Sequence, residues 1–312
     1  MDIKKLRILY FGTPEISAFV LEKLILDAYN IVGIVSQEDK PQGRKNLLLP
    51  TPTKLIGNKY NIPVFQPHKI RLDYEFIKEL NVDIILTLAY GQIIPHEVLT
   101  FPKFGSFNLH GSLLPLYRGA APIQYALLNG DKVSGVTLME MVDKMDAGKM
   151  YYKVEVNILD SDNYDSLKNK IALAAYQCFI EGIEDVVSKK NSGVEQDEAK
   201  VSFTKKIEEK DQKLNFDETS FSIHNRIRAL SFNPGSYFIY KNIKFKVYLS
   251  KIMDSKGQCG EILEYSKNGL LIGTKDSSLM ILEIQKPGKN RMTIKEFFNG
   301  NKDLFIKGDI IN

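Results

Sequence analysis

Asn108 and His110 stand out by type and spacing within the stretch from Gly105 to Ala120, Gly-Ser-Phe-Asn-Leu-His-Gly-Ser-Leu-Leu-Pro-Leu-Tyr-Arg-Gly-Ala. Alternate residues of a strand point to one face, so the two side chains project together while Phe107 and Leu109 pack away from them. An amide that both donates and accepts, beside an imidazole that carries a proton near neutral pH, is equipment for handling a carbonyl. Taken alone, an Asn-x-His is more often a buried histidine satisfied by the backbone, with the asparagine closing a strand. What surrounds the pair therefore decides its meaning. A turn-rich segment from Val142 to Lys149 carries two carboxylates, Asp143 and Asp146.

The elements that must position these groups are α/β in pattern. Arg7 to Phe11 reads as a strand, followed by Gly12-Thr13-Pro14 and an amphipathic helix to about Leu26, with Thr13 as the expected cap and Pro14 at the first helical position. Ile31 to Ser36, Val64-Phe65 and Val82 to Ala89 read as further strands and Tyr74 to Leu80 as a helix. Continuous apolar strands alternating with helices predict a Rossmann-like, mostly parallel sheet covered on both faces. The turn after the first strand lacks the Gly-x-Gly-x-x-Gly fingerprint, so a dinucleotide is not the expected ligand. Ala121 to Leu128 is a predicted helix, Gly135 to Met141 and Tyr151 to Ile158 the last strands, and Ser161-Asp162-Asn163 the cap of a long helix through Val187. Beyond a Lys-, Asn- and Glu-rich segment, five short β-like runs suggest a small OB-like barrel: Ser236 to Tyr240, Phe245 to Leu249, Gly260 to Tyr265, Leu270 to Thr274 and Leu279 to Gln285. The expected organisation is a catalytic domain over 1–188, a linker over 189–206 and the barrel over 207–312.

An apolar content of 44% with 26% charged residues in 312 residues is that of a globular protein with ample core material. No apolar run approaches the roughly 20 residues of a membrane span. Met1 to Arg7 leads into a strand rather than a signal-peptide core, so a cytoplasmic protein without membrane association is expected. Two cysteines, Cys178 and Cys259, read as reduced thiols. The net charge of +4 is uneven: from Lys200 onward there are 20 Lys plus Arg against 13 Asp plus Glu, while the first 199 residues sum to −3. A basic second half favours a polyanionic partner. The long connection from Gln37 to Pro52, with Lys40, Gly43, Arg44 and Lys45, is of a length more often functional than structural.

Together, Asn108-Leu109-His110-Gly111-Ser112-Leu113-Leu114-Pro115, Tyr117 to Gln124, the Asp143-x-x-Asp146-x-Gly148 loop and, near the C-terminus, Lys286 to Lys289 with Arg291-Met292 resemble the methionyl-tRNA formyltransferase family over nearly the whole chain. The resemblance implies transfer of the formyl group of 10-formyltetrahydrofolate to the amino group of initiator methionyl-tRNA, for translation initiation, by a monomer that needs no metal. Asn108 would offer its amide to the charge that builds on the formyl oxygen. His110 would stabilise the same charge and move protons, and Asp146 would orient its ring or act as the base on the amine. The resemblance further implies a folate site around Leu88, Ala89, Tyr90, Gly91, Gln92 and Ile93, with Ser112, Leu113, Leu114, Pro115 and Asp143. For tRNA it implies Arg44 and Lys45 of the basic loop, together with Lys205, Lys206, Lys286, Lys289 and Arg291. Asn46 and Leu47 stand where the family more often continues with Lys. The alternative within the same chemistry is a folate-dependent formyltransferase acting on a small amine, glycinamide ribonucleotide or an amino sugar, which gives no reason for the basic second half.

Overall fold

Three runs of the sequence, Ile8–Gly12, Ile31–Val35 and Ile84–Leu88, are buried along almost their whole length, as strands covered on both faces must be. The computed structural model, which describes residues 2–42 and 46–311, sets them in a seven-stranded sheet. Its order is Met150–Asn157, Val133–Glu140, Ser106–His110, Ile84–Leu88, Ile8–Gly12, Ile31–Val35, Val64–Phe65. The five strands from Ser106–His110 to Val64–Phe65 run parallel, and Val133–Glu140 joins antiparallel to Ser106–His110. Leu9, Phe11, Val35, Ile85, Tyr90 and Ile94 pack in one core cluster of this layer.

The helix Glu15–Leu26 follows the first strand, but its start differs from the sequence expectation. Pro14, not Thr13, occupies the cap position and makes no side-chain cap bond. The Thr13 hydroxyl is used elsewhere: it donates to the Tyr90 carbonyl at 2.9 Å and accepts from the Gln37 amide at 3.2 Å. Thr13 thus ties together three segments that leave neighbouring strands. The Gln37 to Pro52 connection contains a two-stranded antiparallel ribbon, Lys40–Gln42 with Leu47–Leu49, and the three leucines are exposed. The helix Tyr164–Val187 is capped by Asn163, whose side chain accepts from the Ser166 amide at 3.0 Å.

By contacts the chain forms two compact units: Met1–Gly119, Ser134–Asn157 and Lys168–Thr204 make the first, and Ala120–Val133, Ile158–Leu167 and Lys205–Asn312 the second. The second unit holds the antiparallel strands Ser236–Tyr240, Ile243–Met253, Ser278–Gln285, Gly269–Gly273 and Ile262–Ser266 in that spatial order, with Met292–Thr293 beside Ser278–Gln285. Every one of the five long strands contributes to a single core that includes Phe238, Phe245, Ile262, Ile272 and Ile281, closed by Ile294 and Phe297 of the helix Ile294–Gly300. No helix among the described residues is long and apolar enough to cross a membrane.

Candidate functional site

The strand Ser106–His110 lies between Ile84–Leu88 and Val133–Glu140, so Asn108 has Thr87 on one side and Met139 on the other. Asn108 is half-buried, and among the described residues its side-chain amide has no hydrogen-bond partner. The neighbouring Thr87 hydroxyl is buried and also unpartnered. The open Thr87 hydroxyl in the middle of a sheet is unusual, because a buried donor or acceptor without a partner costs about 1–3 kcal/mol.

His110, two residues further, is 6% exposed and held on both sides. Its Nε2 lies 2.9 Å from the Tyr117 carbonyl oxygen. A carbonyl only accepts, so Nε2 carries the hydrogen and Nδ1 is the atom free to gain or lose a proton. Nδ1 faces Asp146 Oδ1 at 3.6 Å, within ion-pair range but wider than a hydrogen bond. The other carboxylate oxygen, Oδ2, is occupied by the Gly119 amide at 2.8 Å. One imidazole nitrogen and one carboxylate oxygen therefore remain chemically available, facing each other.

Positioning Asp146 takes an unusual backbone path. The register places Glu140 opposite Phe107, and the Glu140 amide donates to the Lys149 carbonyl, so the intervening loop folds back along the sheet to reach His110. At its turn Asp146 adopts a left-handed conformation, φ +52°, and Tyr117, whose carbonyl holds His110, does the same at φ +64°. Side chains other than Gly, Asn and Asp pay steric energy there. Gly119 at φ +114° has no alternative: a Cβ would lie 2.4 Å from the Thr204 carbonyl oxygen.

The Ser112 to Pro115 stretch forms the turn after the strand. The Ser112 hydroxyl donates to the Leu116 carbonyl at 2.6 Å, and the Thr137 hydroxyl donates to the Ser112 carbonyl while accepting from the Leu114 amide. Leu114 is buried and Leu113 and Pro115 are half-buried. Lys153 donates to the Leu114 carbonyl, and burial lowers the pKa of its ammonium.

After the Ile84–Leu88 strand, Ala89 and Gly91 are both exposed residues with positive φ, +51° and +93°. Tyr90 between them is buried, its hydroxyl unpartnered and its ionisation pushed up by burial. The Gln92 amide is committed to the Pro67 to Ile70 segment, accepting from the Ile70 amide at 2.9 Å, while Ile93 is 84% exposed. The Gln37 Nε2 is buried without a partner, 3.7 Å from where a Cβ on Gly91 would stand. Two exposed residues of positive φ with a spare amide donor beside them suit the flat, hydrogen-bonding edge of a heterocycle. Asp143 is exposed and pairs with His96 at 3.2 Å.

Of the basic residues singled out from the sequence, Arg44 and Lys45 lie outside the described residues. Lys205, Lys206 and Lys289 are exposed and Lys286 half-buried. Arg291 is partly engaged within the protein: its guanidinium lies 3.8 Å from the Phe232 ring centroid, and its Nε lies 3.4 Å from Glu283. Sequence reasoning missed the Tyr117 carbonyl, the Gly119 amide and Thr87. The first two are backbone groups that no residue type announces, and Thr87 sits in a run read only as apolar.

Residues 4–183 match the family model described as formyl transferase, and residues 206–302 that described as formyl transferase, C-terminal domain. The chain is 40% identical over 305 residues to a methionyl-tRNA formyltransferase of Malacoplasma penetrans, covering 97% of this chain and 96% of that one. It is 39% identical over 299 residues to the methionyl-tRNA formyltransferase of Bacillus subtilis, covering 94% of each. Among solved structures it is similar to WlaRD, a sugar 3N-formyl transferase determined in the presence of dTDP and 5-N-formyl-THF, with a TM-score of 0.66 at 24% identity over 91% of this chain and 99% of that one. It is also similar to HypX from Aquifex aeolicus in complex with tetrahydrofolic acid, with a TM-score of 0.67 at 16% identity over 98% of this chain. The chain spans only 50% of HypX. At these identities the likeness to the solved structures is one of fold.

Proposed function

Because the chain belongs to the methionyl-tRNA formyltransferase family and formylates the amino group of methionyl-tRNA, we propose that the donor is 10-formyltetrahydrofolate, the acceptor the initiator methionyl-tRNA, and the groups that carry the transfer Asn108, His110 and Asp146. The observation that carries this reading is the convergence of an unpartnered amide, an imidazole with one free nitrogen and a carboxylate with one free oxygen at the end of one strand.

The bound folate supplies the formyl carbon and accepts a proton at its leaving nitrogen. The Ala89 to Gly91 backbone and the Gln37 amide hold its heterocycle. The Asn108 amide donates to the formyl oxygen as negative charge builds there, a kind of donor worth about 2.7–4 kcal/mol of barrier in other enzymes. Asp146 Oδ1, not occupied by the Gly119 amide, accepts the proton that the methionyl amine loses. His110 Nδ1, which faces that oxygen at 3.6 Å, would pass the proton on toward the leaving nitrogen, while its Nε2–H stays on the Tyr117 carbonyl and keeps the ring from turning. Lys205, Lys206, Lys286 and Lys289, and Arg44 and Lys45 of the loop, meet tRNA phosphates, with Arg291 the most constrained contributor of the set.

The test supplies 10-formyltetrahydrofolate labelled in the formyl group together with methionyl-tRNA, glycinamide ribonucleotide or a nucleotide-linked amino sugar. Label is expected on methionyl-tRNA alone, with a KM for tRNA that rises steeply with salt as phosphate contacts require. Label on a small amine at comparable kcat/KM would remove the tRNA reading.

A further inference from the structure

Resting on the assignment of Asp146 above, we infer that Gln196 is a positioning residue for the reaction, aiming the Asp146 carboxylate through the backbone of its loop. Nothing in the composition of the segment around Gln196 separates it from a connector. In the structure that segment lies along the catalytic loop. The Met150 and Val194 backbones exchange hydrogen bonds at 2.9 and 2.8 Å. Gln196 is 8% exposed, and its Nε2 donates at 2.8 Å to both the Asp146 and the Gly148 carbonyls. The two hydrogens of one amide thus hold the loop on either side of Ala147, at the point where Asp146 takes its left-handed conformation.

The amide of Gln196 is itself fixed. Its Oε1 accepts from Nε of Arg118 at 3.0 Å, and Arg118 is fully buried. The Arg118 Nη2 meets Glu198 at 2.8 Å, and Glu198 also receives Lys144 of the catalytic loop at 3.0 Å. Further along, the Ser202 hydroxyl accepts from the Tyr117 amide and the Ser202 carbonyl from the Arg118 amide, while Phe203–Thr204 pairs in parallel with Arg118–Gly119. Residues 194–204 therefore act as a strap that fixes both neighbours of His110. Ser202 and Thr204 set the turn bearing the Tyr117 carbonyl and the Gly119 amide, and Gln196 sets the loop bearing the Asp146 carboxylate. Catalytic geometry must hold to a fraction of an ångström, and a carboxylate on a nine-residue hairpin loop does not hold itself.

Gln196→Met keeps the side-chain length and removes both donors and the acceptor. At saturating donor and methionyl-tRNA it is expected to lower the single-turnover rate by about 10- to 100-fold, the cost of misplacing a reacting group by about 1 Å, with the KM for tRNA little changed. The decisive measurement is a double-mutant cycle with Asp146→Asn, chosen because asparagine tolerates the left-handed conformation. If Gln196 acts only by aiming that carboxylate, Gln196→Met costs nothing more in the Asp146→Asn background. An equal loss in both backgrounds would show a general structural role and overturn the inference, as would a Gln196→Met enzyme of wild-type rate beside an inactive Asp146→Asn. An Asp146→Asn enzyme of wild-type rate would instead overturn the assignment on which the inference rests. Gln196→Glu keeps the acceptor facing Arg118 but sets a carboxylate against the two carbonyls. It is expected to be at least as slow as Gln196→Met, and a wild-type rate for it would equally overturn the inference.

Discussion

Replacing Asn108 with valine should make the protein more stable and nearly inactive at once. Asn108 sits in a central strand between Thr87 and Met139, half-buried, with no partner for its amide among the described residues. A fully buried unpartnered polar group costs about 1–3 kcal/mol, so a half-buried one falls near the lower end, about 1 kcal/mol, and valine removes that cost. Valine also fits the pleated surface better than asparagine. A gain of about 1 kcal/mol raises the melting temperature by about 2–4 °C for a unit of this size. Loss of the donor to the formyl oxygen lowers kcat by about 10²- to 10³-fold. Differential scanning calorimetry of the two proteins, beside quenched-flow transfer of labelled formyl to methionyl-tRNA, measures both numbers. A melting temperature lowered by the substitution would mean that the amide supports the fold, and a kcat within about tenfold of wild type would take Asn108 out of the chemistry. Stability spent on an open amide is the signature of a group kept for a transition state.

Two further outcomes follow from groups away from the site. Cys178 is buried, its thiol 3.5 Å from the Tyr152 carbonyl oxygen, and burial pushes its pKa up to about 12; a disulfide reagent should titrate Cys259 in the native protein and Cys178 only on unfolding, and fast labelling of both would contradict the packing. His224, bonded to the Ser250 hydroxyl in the second unit, has its pKa lowered from 6.5 by burial and by Arg228, against a smaller opposing effect of Asp160. The unfolded chain takes up a proton below pH 6.5 that the folded one resists, so this contribution to stability is present above that pH and lost below it. Urea unfolding at pH 7.5 and 5.5 should show the loss, at most about 1.4 kcal/mol for each pH unit, and His224→Gln should shrink it; an unchanged pH dependence in the variant would assign the effect elsewhere.

The strands of the second unit were legible because turn residues bracket each apolar run, and Ser236–Tyr240 matches its expected bounds residue for residue. The parallel sheet was legible because its strands are apolar on both faces. Thr13 was not, since its hydroxyl suits a helix cap by residue type and is drawn away by the Tyr90 carbonyl and the Gln37 amide, groups 77 and 24 residues distant. A cap is a local bond and visible in sequence; the bond that displaced it is tertiary and is not.

The same distinction separates the two halves of the candidate site. Asn108 and His110 share a face through strand geometry alone, a local regularity. Asp146 reaches His110 only because the hairpin loop folds back along the sheet, and nothing in the loop's own sequence fixes the distance it ends at. That distance depends on two backbone carbonyls caught by Gln196 from 50 and 48 residues away, and on a glycine amide whose residue has room only because it lacks a Cβ against Thr204. Hydrogen bonds to main-chain carbonyls leave no residue type at the receiving position to read. A polar segment of connector composition is therefore where a positioning layer goes unnoticed, and the coupling between Gln196 and Asp146 is measured by the double-mutant cycle rather than inferred from side-chain chemistry.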